Sequence, residues 1–350
     1  GTVTDPMKGG VINPISVYPF PNFKAEQTKS YELGTNLRLF NNKINIDATV
    51  YLTDTYNQTF LSSMSPASGY SGFYVQAGKV RNKGIELSLG YNDRFGKVGY
   101  ATNLTYTANR NKIMKMVHDY KNPSDGSLFS ITELTLQDKG GVYLREKDAI
   151  GDVYVKGILA RGKDGKLIEE EGGYKVDRSQ RIKIGSVNPD FSIGWRHNVT
   201  WNNITLDLLF NGRFGGIVTS STQAFLDDYG VSKDTYKARQ NGGVWVNGTQ
   251  YDAEKYYTTI GGEQLMAYYA YKATNIRLQE ASLSYTLPGK WFGNVINRLT
   301  VSAIGRNLWM IYNKAPFDPE MTSSTGTYNR GDVFMPPSLR SVGFSVKIEL

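Results

Sequence analysis

The stretch Ser338–Leu350 reads SLRSVGFSVKIEL, and its last nine residues alternate without a break. Val342, Phe344, Val346, Ile348 and Leu350 fall on one face, and Gly343, Ser345, Lys347 and Glu349 on the other. Side chains of a β-strand point to opposite faces by turn, so a period of two marks a strand with one apolar and one polar face. A sheet edge in a water-soluble protein could use one such strand. The fold is decided by how often the pattern returns upstream, and by what separates the copies.

Working back from the terminal strand, Leu299, Val301 and Ala303 alternate with Thr300, Ser302 and Arg306. Ile276 and Leu278 share one phase, Ala281, Leu283, Tyr285 and Leu287 the other, and the slip at Gln279-Glu280 predicts a β-bulge. Ile204–Phe210, Phe191–Trp201, Tyr100–Ala108, Ile85–Tyr91, Ile44–Leu52 and Tyr31–Leu39 repeat the alternation, giving about nine strands. Their connections alternate in length. Asn41-Asn42, Asn92–Lys97, Asn202-Asn203 and Pro288–Asn297 are short, whereas Thr59–Ser71, Ile113–Asn188, Thr219–Lys272 and Ile311–Pro337 are long. Asn-Asn tolerates the positive φ of tight hairpin turns. An up-and-down antiparallel sheet with all short turns at one end and all long loops at the other has the anatomy of a transmembrane barrel. The predicted fold is therefore all-β: an antiparallel up-and-down transmembrane β-barrel. An odd strand count predicts about nine C-terminal strands of a larger barrel, because bacterial barrels have even strand numbers. Asn45, Asp47, Asn103, Arg196, Asp207, Arg306, Lys347 and Glu349 would face a wet interior, while Tyr31, Tyr91, Tyr100, Trp195, Trp201, Phe210 and Trp309 suit interfacial girdles. The competing architecture is a soluble sandwich with a dry inner face.

Composition narrows the chemistry. Across 350 residues there are 24 Tyr, 15 Phe and 5 Trp but no Cys, which removes disulfide frameworks and thiolate sites. Mean hydropathy is −0.40 and no run reaches the length of a transmembrane helix. The net charge of +8 is spread rather than clustered, which argues against nucleic acid and suits a phosphate-rich outer leaflet. The opening stretch Gly1–Phe23, rich in Gly and Pro, lacks the basic start and apolar core of a signal sequence. The chain is accordingly expected to be a piece of something longer.

Specific phrases then carry a resemblance. EQTKSYELGTNLRLFNNKINIDATVY, AGKVRNKGIELSLGY, RIKIGSVNPDFSIGWRHNVTWNNITLDLLFNGRFGG, ATNIRLQEASLSYTLP and SAIGRNLWMIYNKAPFDPE, in this order, resemble the C-terminal barrel region of SusC/RagA-like TonB-dependent outer-membrane transporters of Bacteroidetes. Leu350 departs from the aromatic residue that usually ends such barrels. The resemblance implies that residues 1–350 form the C-terminal portion of one barrel domain of about 22 strands. The plug and the TonB-contacting segment would lie outside the chain. It further implies a multi-pass protein in the outer membrane of a Gram-negative bacterium. Such a protein imports a large nutrient, glycan fragments first and oligopeptides second, powered through TonB. It pairs with a SusD/RagB-like surface lipoprotein that acts as a lid. The alternatives are a non-transporting barrel acting as adhesin or assembly component, and a passive porin.

Candidate site residues come from the long loops. Trp245, Tyr251, Tyr256, Tyr257, Tyr268 and Tyr269 form an aromatic-rich segment, and aromatic faces stack on sugar rings; the competing role is packing of the loop on its neighbours. Phe225 and Tyr229 lie in a helix-spaced stretch that Gly242-Gly243 ends, and are candidates for partner contact, with Arg145, Lys147 and Arg161 (beside Lys163 and Lys166) at the rim. Long loops without internal pattern are usually functional or disordered. Ordering them costs about 1–2 kcal/mol per residue of backbone entropy, so bound surface is expected to offset it. A small hairpin around KDGK, residues 163–166, is the alternative organisation of the first of these loops. Asp148, Asp152, Asp164, Glu169, Glu170, Glu171 and Asp177 fit no calcium-loop spacing. His118 and His197 stand far apart, no nucleophilic triad or phosphate loop occurs, and Asp227-Asp228 are adjacent, so neither a cofactor, a metal site nor an enzyme is expected.

Overall fold

A computed structural model describes residues 17–18, 23–63, 70, 72–121, 126–136, 142–293, 295–323 and 331–350. Most of the opening stretch Gly1–Phe23 and of the connection Thr59–Ser71 lies outside them. Nine long strands pair antiparallel in chain order: β1 (Gln27–Leu39), β2 (Ile44–Ser63), β3 (Gly72–Phe95), β4 (Val98–Lys115), β5 (Phe191–Trp201), β6 (Ile204–Phe214), β7 (Asn275–Pro288), β8 (Arg298–Asn313) and β9 (Ser341–Glu349). The dipeptide Val17–Tyr18 adds a short parallel pairing to β3. The sheet is the barrel wall that the alternation predicts.

Register explains why the wall holds. Reading straight across the strands, Leu37, Ile46, Leu89, Leu104, Trp195, Phe210, Leu278 and Trp309 are successive cross-strand partners. Eight strands therefore contribute one apolar residue each to a single outward row. Neither of the two buried hydrophobic clusters contains any of them, and Phe344 and Leu206 on the same face are uncovered by protein. This apolar face meets lipid. The opposite face is wet and self-paired. Arg196 contacts Asp207 at 2.9 Å and Glu280 at 3.7 Å, and Arg306 contacts Glu280 at 3.0 Å. Asn103 donates to Ser88 at 3.0 Å and Asn36 to Asp47 at 2.9 Å. The bulge falls where the phase slips, between Leu278 and Glu280. At the tight turns Asn41, Asn42 and Asn202 take φ of 54°, 64° and 50°.

The strands extend beyond the sequence-based bounds. β2 continues to Ser63 and β3 starts at Gly72, so the first five residues of the expected loop, Thr59–Ser63, are ladder. β3 also runs through Asn92 to Phe95, which reduces that turn to Gly96-Lys97. The reason is that one face stops being apolar above the membrane band. There Asp54, Lys79 and Arg81 replace Val50 and Ile85 on the outer side, and alternation vanishes while backbone pairing continues. The inner side of this extension is sealed instead by a core containing Val75, Val80, Ile113, Met116, Leu134, Leu136 and Leu144.

The long loops are also structured. Residues 116–190 contain a hairpin of Asp152–Leu159 with Val176–Ser186, tipped by a turn in which Gly162 N–H bonds the Lys166 carbonyl at 2.9 Å. The hairpin expected around residues 163–166 is this tip. Residues 217–272 close on a short ladder of Ile217–Ser220 with Ala270–Lys272 and hold three helices: α1 (Ser221–Asp228), α2 (Lys233–Gln240) and α3 (Ala253–Gly262).

Candidate functional site

Each helix begins on a side chain that accepts an otherwise unpaired backbone N–H. Ser220 accepts from Gln223, Ser232 from Thr235 and Asp252 from Lys255, the roles that Ser and Asp fill at helix starts. Ser220 also donates to Asp332 at 2.6 Å, which ties the last long loop to the first helix of the preceding one. α1 and α3 approach so closely that a Cβ on Gly261 would sit 2.5 Å from the Ala224 carbonyl oxygen. Any larger residue there pushes the helices apart.

The two longest loops fold onto each other. Leu159, Leu167 and Tyr174 from the hairpin share one core with Ala224, Tyr251, Ile260, Leu265 and Tyr269 from the helical loop. Backbone groups of the hairpin are satisfied by tyrosines of the other loop: Leu159 N–H donates to the Tyr268 hydroxyl and Leu167 N–H to the Tyr251 hydroxyl, both at 3.0 Å. Mutual burial of these loops thus offsets part of the entropy of ordering them.

That packing buries two of the candidate residues. Tyr251 and Tyr269 are core residues, 7% and 2% exposed, with no ring face left for a sugar. Tyr256, Tyr257 and Tyr268 are half-buried and stack edge-on among themselves, with centroids 5.4 Å (Tyr256–Tyr257) and 6.4 Å (Tyr256–Tyr268) apart. Burial pushes the hydroxyls of Tyr256 and Tyr257 up to about 12, so both are neutral donors and acceptors. Trp245, on the hairpin Val244–Val246 with Thr249–Tyr251, keeps an exposed ring.

The expected partner residues do not form one patch. Phe225 is half-buried against Phe334 at 5.3 Å, and Tyr229, one turn later on the same helix face, is 76% exposed. Arg145 and Lys147 lie near the base of the hairpin, at 3.5 Å from Asp148 and 3.3 Å from Glu146. Arg161 lies beyond its tip, bonded to the Gly165 carbonyl at 2.8 Å. Eight hairpin residues at about 3.3 Å each separate the two positions by roughly 25 Å. Of the acidic residues scattered in this loop, Asp148 and Asp152 share the Lys183 ammonium at 3.3 and 2.5 Å.

Sequence reading did not single out one polar opening among the described residues. A cleft of about 620 Å³ is lined by Asn109, Asn111, Ser186, Asn188, Asp190 and Thr274 together with Arg110, Asp152 and Lys272. It sits where β4, β5 and β7 leave the wall. The available signal is weak: Asn109 and Asn111 continue the polar phase of β4 past its last outward apolar residue, Ala108. A second cleft, about 250 Å³, lies between α1, α2 and α3 beside Asp227, Arg239 and Tyr257.

Asp227 is the unusual carboxyl of the site. Burial pushes it above the ordinary range, against the hydrogen bonds from Ser232 and Tyr269 that favour its charged form. The Tyr269 hydroxyl donates to it at 3.0 Å. A carboxyl raised in this way weakens the fold as pH climbs from the unfolded value through the folded one, because the buried form must then lose its proton. Asp227→Asn keeps the acceptor for Tyr269 and removes that penalty. Hydrogen exchange across α3 is therefore expected to be slower in the variant at pH 7 and equal to wild type near pH 3; slower exchange in wild type at pH 7 would contradict the assignment.

Comparison with known proteins agrees with this geometry. The sequence profile of the family described as TonB dependent receptor-like, beta-barrel matches residues 7–211. TonB-dependent receptor P3 of Formosa agariphila is 24% identical over 340 residues, covering 91% of this chain and 33% of the relative. TonB-dependent receptor P39 of the same organism is 21% identical over 360 residues, covering 89% and 34%. The chain thus spans about a third of the length of these relatives. Among solved structures, the RagAB peptide importer in its closed-closed state superposes with a TM-score of 0.69 at 18% identity, over 92% of this chain and 35% of that one. Its open-open state gives 0.70 at 18% identity, over 96% and 36%. At that identity the likeness establishes the barrel fold.

Proposed function

The chain belongs to the TonB-dependent receptor β-barrel family, and from that premise we propose that the whole protein is an outer-membrane active transporter. It imports a large nutrient across the outer membrane of a Gram-negative bacterium, driven by TonB through a part outside this chain, and catalyses no reaction. Glycan fragments are the first cargo class and oligopeptides the second. A SusD/RagB-like surface lipoprotein would close over the loops.

The observation that carries this reading is the mouth itself. Two long loops pack on each other through a shared core and form a roof beside a polar cleft, a built mouth of the kind a selective transporter needs. Amides and hydroxyls of Asn109, Asn111, Asn188, Ser186 and Thr274 line the cleft, beside the charged Arg110, Asp152, Asp190 and Lys272. Neutral groups that both donate and accept suit a hydroxyl-rich ligand, and the exposed Trp245 ring offers a stacking face nearby in the sequence of the roof. Peptides stay second because Arg110 and Asp190, paired at 2.8 Å, could exchange their mutual contact for chain termini. The test is growth of a deletion strain, and of a TonB-deficient strain, on single glycans and on peptide mixtures. Loss of growth on one cargo class in both strains is the expected result. Growth on every polymer in both strains would remove the transport reading.

A further inference from the structure

The outward face of the wall changes character abruptly in one sector. The row Leu33, Val50, Ile85 and Ala108 closes the apolar band of β1–β4. The next row on that face is Tyr31, Leu52, Lys83 and Arg110, and the one above it Lys29, Asp54, Arg81 and Lys112. Above these, Lys79 is the partner of both Tyr56 and Lys115. The sequence carries the pattern as a basic residue at every second position of β3, Lys79, Arg81 and Lys83, with Val80, Asn82 and Gly84 between them.

These cations must point outward. The alternate residues Val80 and Ile113 are 2% and 0% exposed, locked into the core that seals the inner side. Asp54 is the one carboxylate in the three rows. It holds Lys79 at 2.7 Å and Arg81 at 2.7 Å in a fixed fork. Lys29 and Lys79 lie over the Tyr56 ring at 5.7 and 5.1 Å from its centroid. Lys29, Lys83, Lys112 and Lys115 are exposed. Arg110 is engaged by Asp190 and is left out of the count. Across β5–β8 the same face stays apolar to its top, through Phe191, Phe214, Ile276 and Tyr312. The charge is therefore local to β1–β4, not a general property of the rim.

Each row is two residues, about 6.6 Å along a strand. With strands tilted by about 45° the first two rows stand roughly 5–10 Å above the band, at headgroup depth. Tyr31 in the first row marks that interface, as tyrosines do in membrane barrels. We propose that this basic terrace binds the phosphate groups of an outer-leaflet glycolipid, which seats β1–β4 at a fixed depth. The occupant is a lipid because the terrace is continuous with the lipid-facing surface and four exposed cations, Lys29, Lys83, Lys112 and Lys115, stand around the Asp54–Lys79–Arg81 cluster, which itself keeps one net positive charge. The proposal rests on outer-membrane placement and not on cargo.

The test uses the full-length protein purified from outer membranes in mild detergent, with bound phosphorylated glycolipid counted by native mass spectrometry. Lys29→Gln/Lys83→Gln/Lys112→Gln is expected to reduce retention on the order of tenfold. Lys156→Gln/Lys163→Gln/Lys166→Gln, which removes equal charge from the loop hairpin, is expected to leave it unchanged. Heat-modifiable gel mobility confirms a folded barrel in both, and the single variant Lys83→Gln serves if the triple one does not fold. Reconstitution with dephosphorylated glycolipid should show no retention in wild type. Unchanged retention in the terrace variant, an equal loss in the hairpin variant, or equal retention of the dephosphorylated lipid would each overturn the proposal.

Discussion

Arg277→Ala is expected to destabilise the folded barrel by about 3–5 kcal/mol, the typical penalty for stripping one partner from a buried ion pair. Arg277 sits on β7 just below the point where the wall gives way to loops, and its side chain is 5% exposed. Its guanidinium meets Asp318 at 2.9 Å, Glu320 at 3.4 Å and the Asn275 amide oxygen at 3.1 Å. Asp318 is itself 8% exposed and also accepts from Ser338. Burial acts to raise the Asp318 carboxyl, but Arg277 and Ser338 outweigh it and hold it below the ordinary range. The group ties Asp318, Glu320 and Ser338 to β7 and so holds the approach to the terminal strand. Removing the arginine leaves the Asp318 carboxylate, 8% exposed, without its cation, while Glu320 can turn to water. The urea midpoint of heat-modifiable mobility should fall well below wild type. The double variant Arg277→Ala/Asp318→Ala should recover part of the loss, since no unpaired Asp318 charge then remains buried. Acid should weaken the wild type through the same contact: a carboxyl held low stabilises above its unfolded value and stops doing so as pH falls through the folded one. A variant as stable as wild type would show that the clamp is incidental.

The wall was legible in the sequence wherever one face meets lipid and the other meets water. There a period of two is forced, and even the bulge at Gln279 left its mark as a slip of phase. Legibility ended where that asymmetry ended. Residues 54–63 and 72–83 are ladder, but Asp54, Lys79 and Arg81 on one side and Val80 on the other reverse the expected polarity, and the strand disappears from the pattern. α3 was hidden for another reason. Its Asp252 start is a plain signal, but Tyr256, Tyr257 and Thr259 are poor helix formers, and the segment reads as an aromatic surface. Tertiary packing overrides that propensity, because Ile260 and Leu265 enter a core shared with a loop almost a hundred residues away. No local pattern announces that two distant loops bury each other. Tyr251 and Tyr269 could not be assigned to that core from one chain of letters, nor could Asn109, Asn188 and Thr274 be brought to one cleft.

Tyr229→Ser/Tyr236→Ser is expected to abolish co-purification of the proposed surface lipoprotein while leaving the barrel and its roof folded. The two side chains are 76% and 58% exposed, on α1 and α2, and Val231 between them is 67% exposed. Phe334, packed on Phe225, extends this apolar surface at 63%. In a core-forming loop, residues that could have turned inward and did not are the ones to test. Exposed substitutions of this kind usually change stability by less than about 0.5 kcal/mol. Tyrosine anchors at the centre of an interface contribute about 2 kcal/mol or more each, so losing two should weaken association by roughly three orders of magnitude. Deleting Ser220–Gly243 is a poorer test than it looks from sequence. It removes Ala224 from the shared core and Asp227 from Tyr269, so loss of the partner could follow from collapse of the roof alone. The surface variant separates these causes. Unaltered protection of α3 in hydrogen exchange, together with loss of the partner, places the docking face on α1 and α2. Retention of the partner at wild-type affinity would move it elsewhere, with the exposed Trp245 hairpin next to be tested.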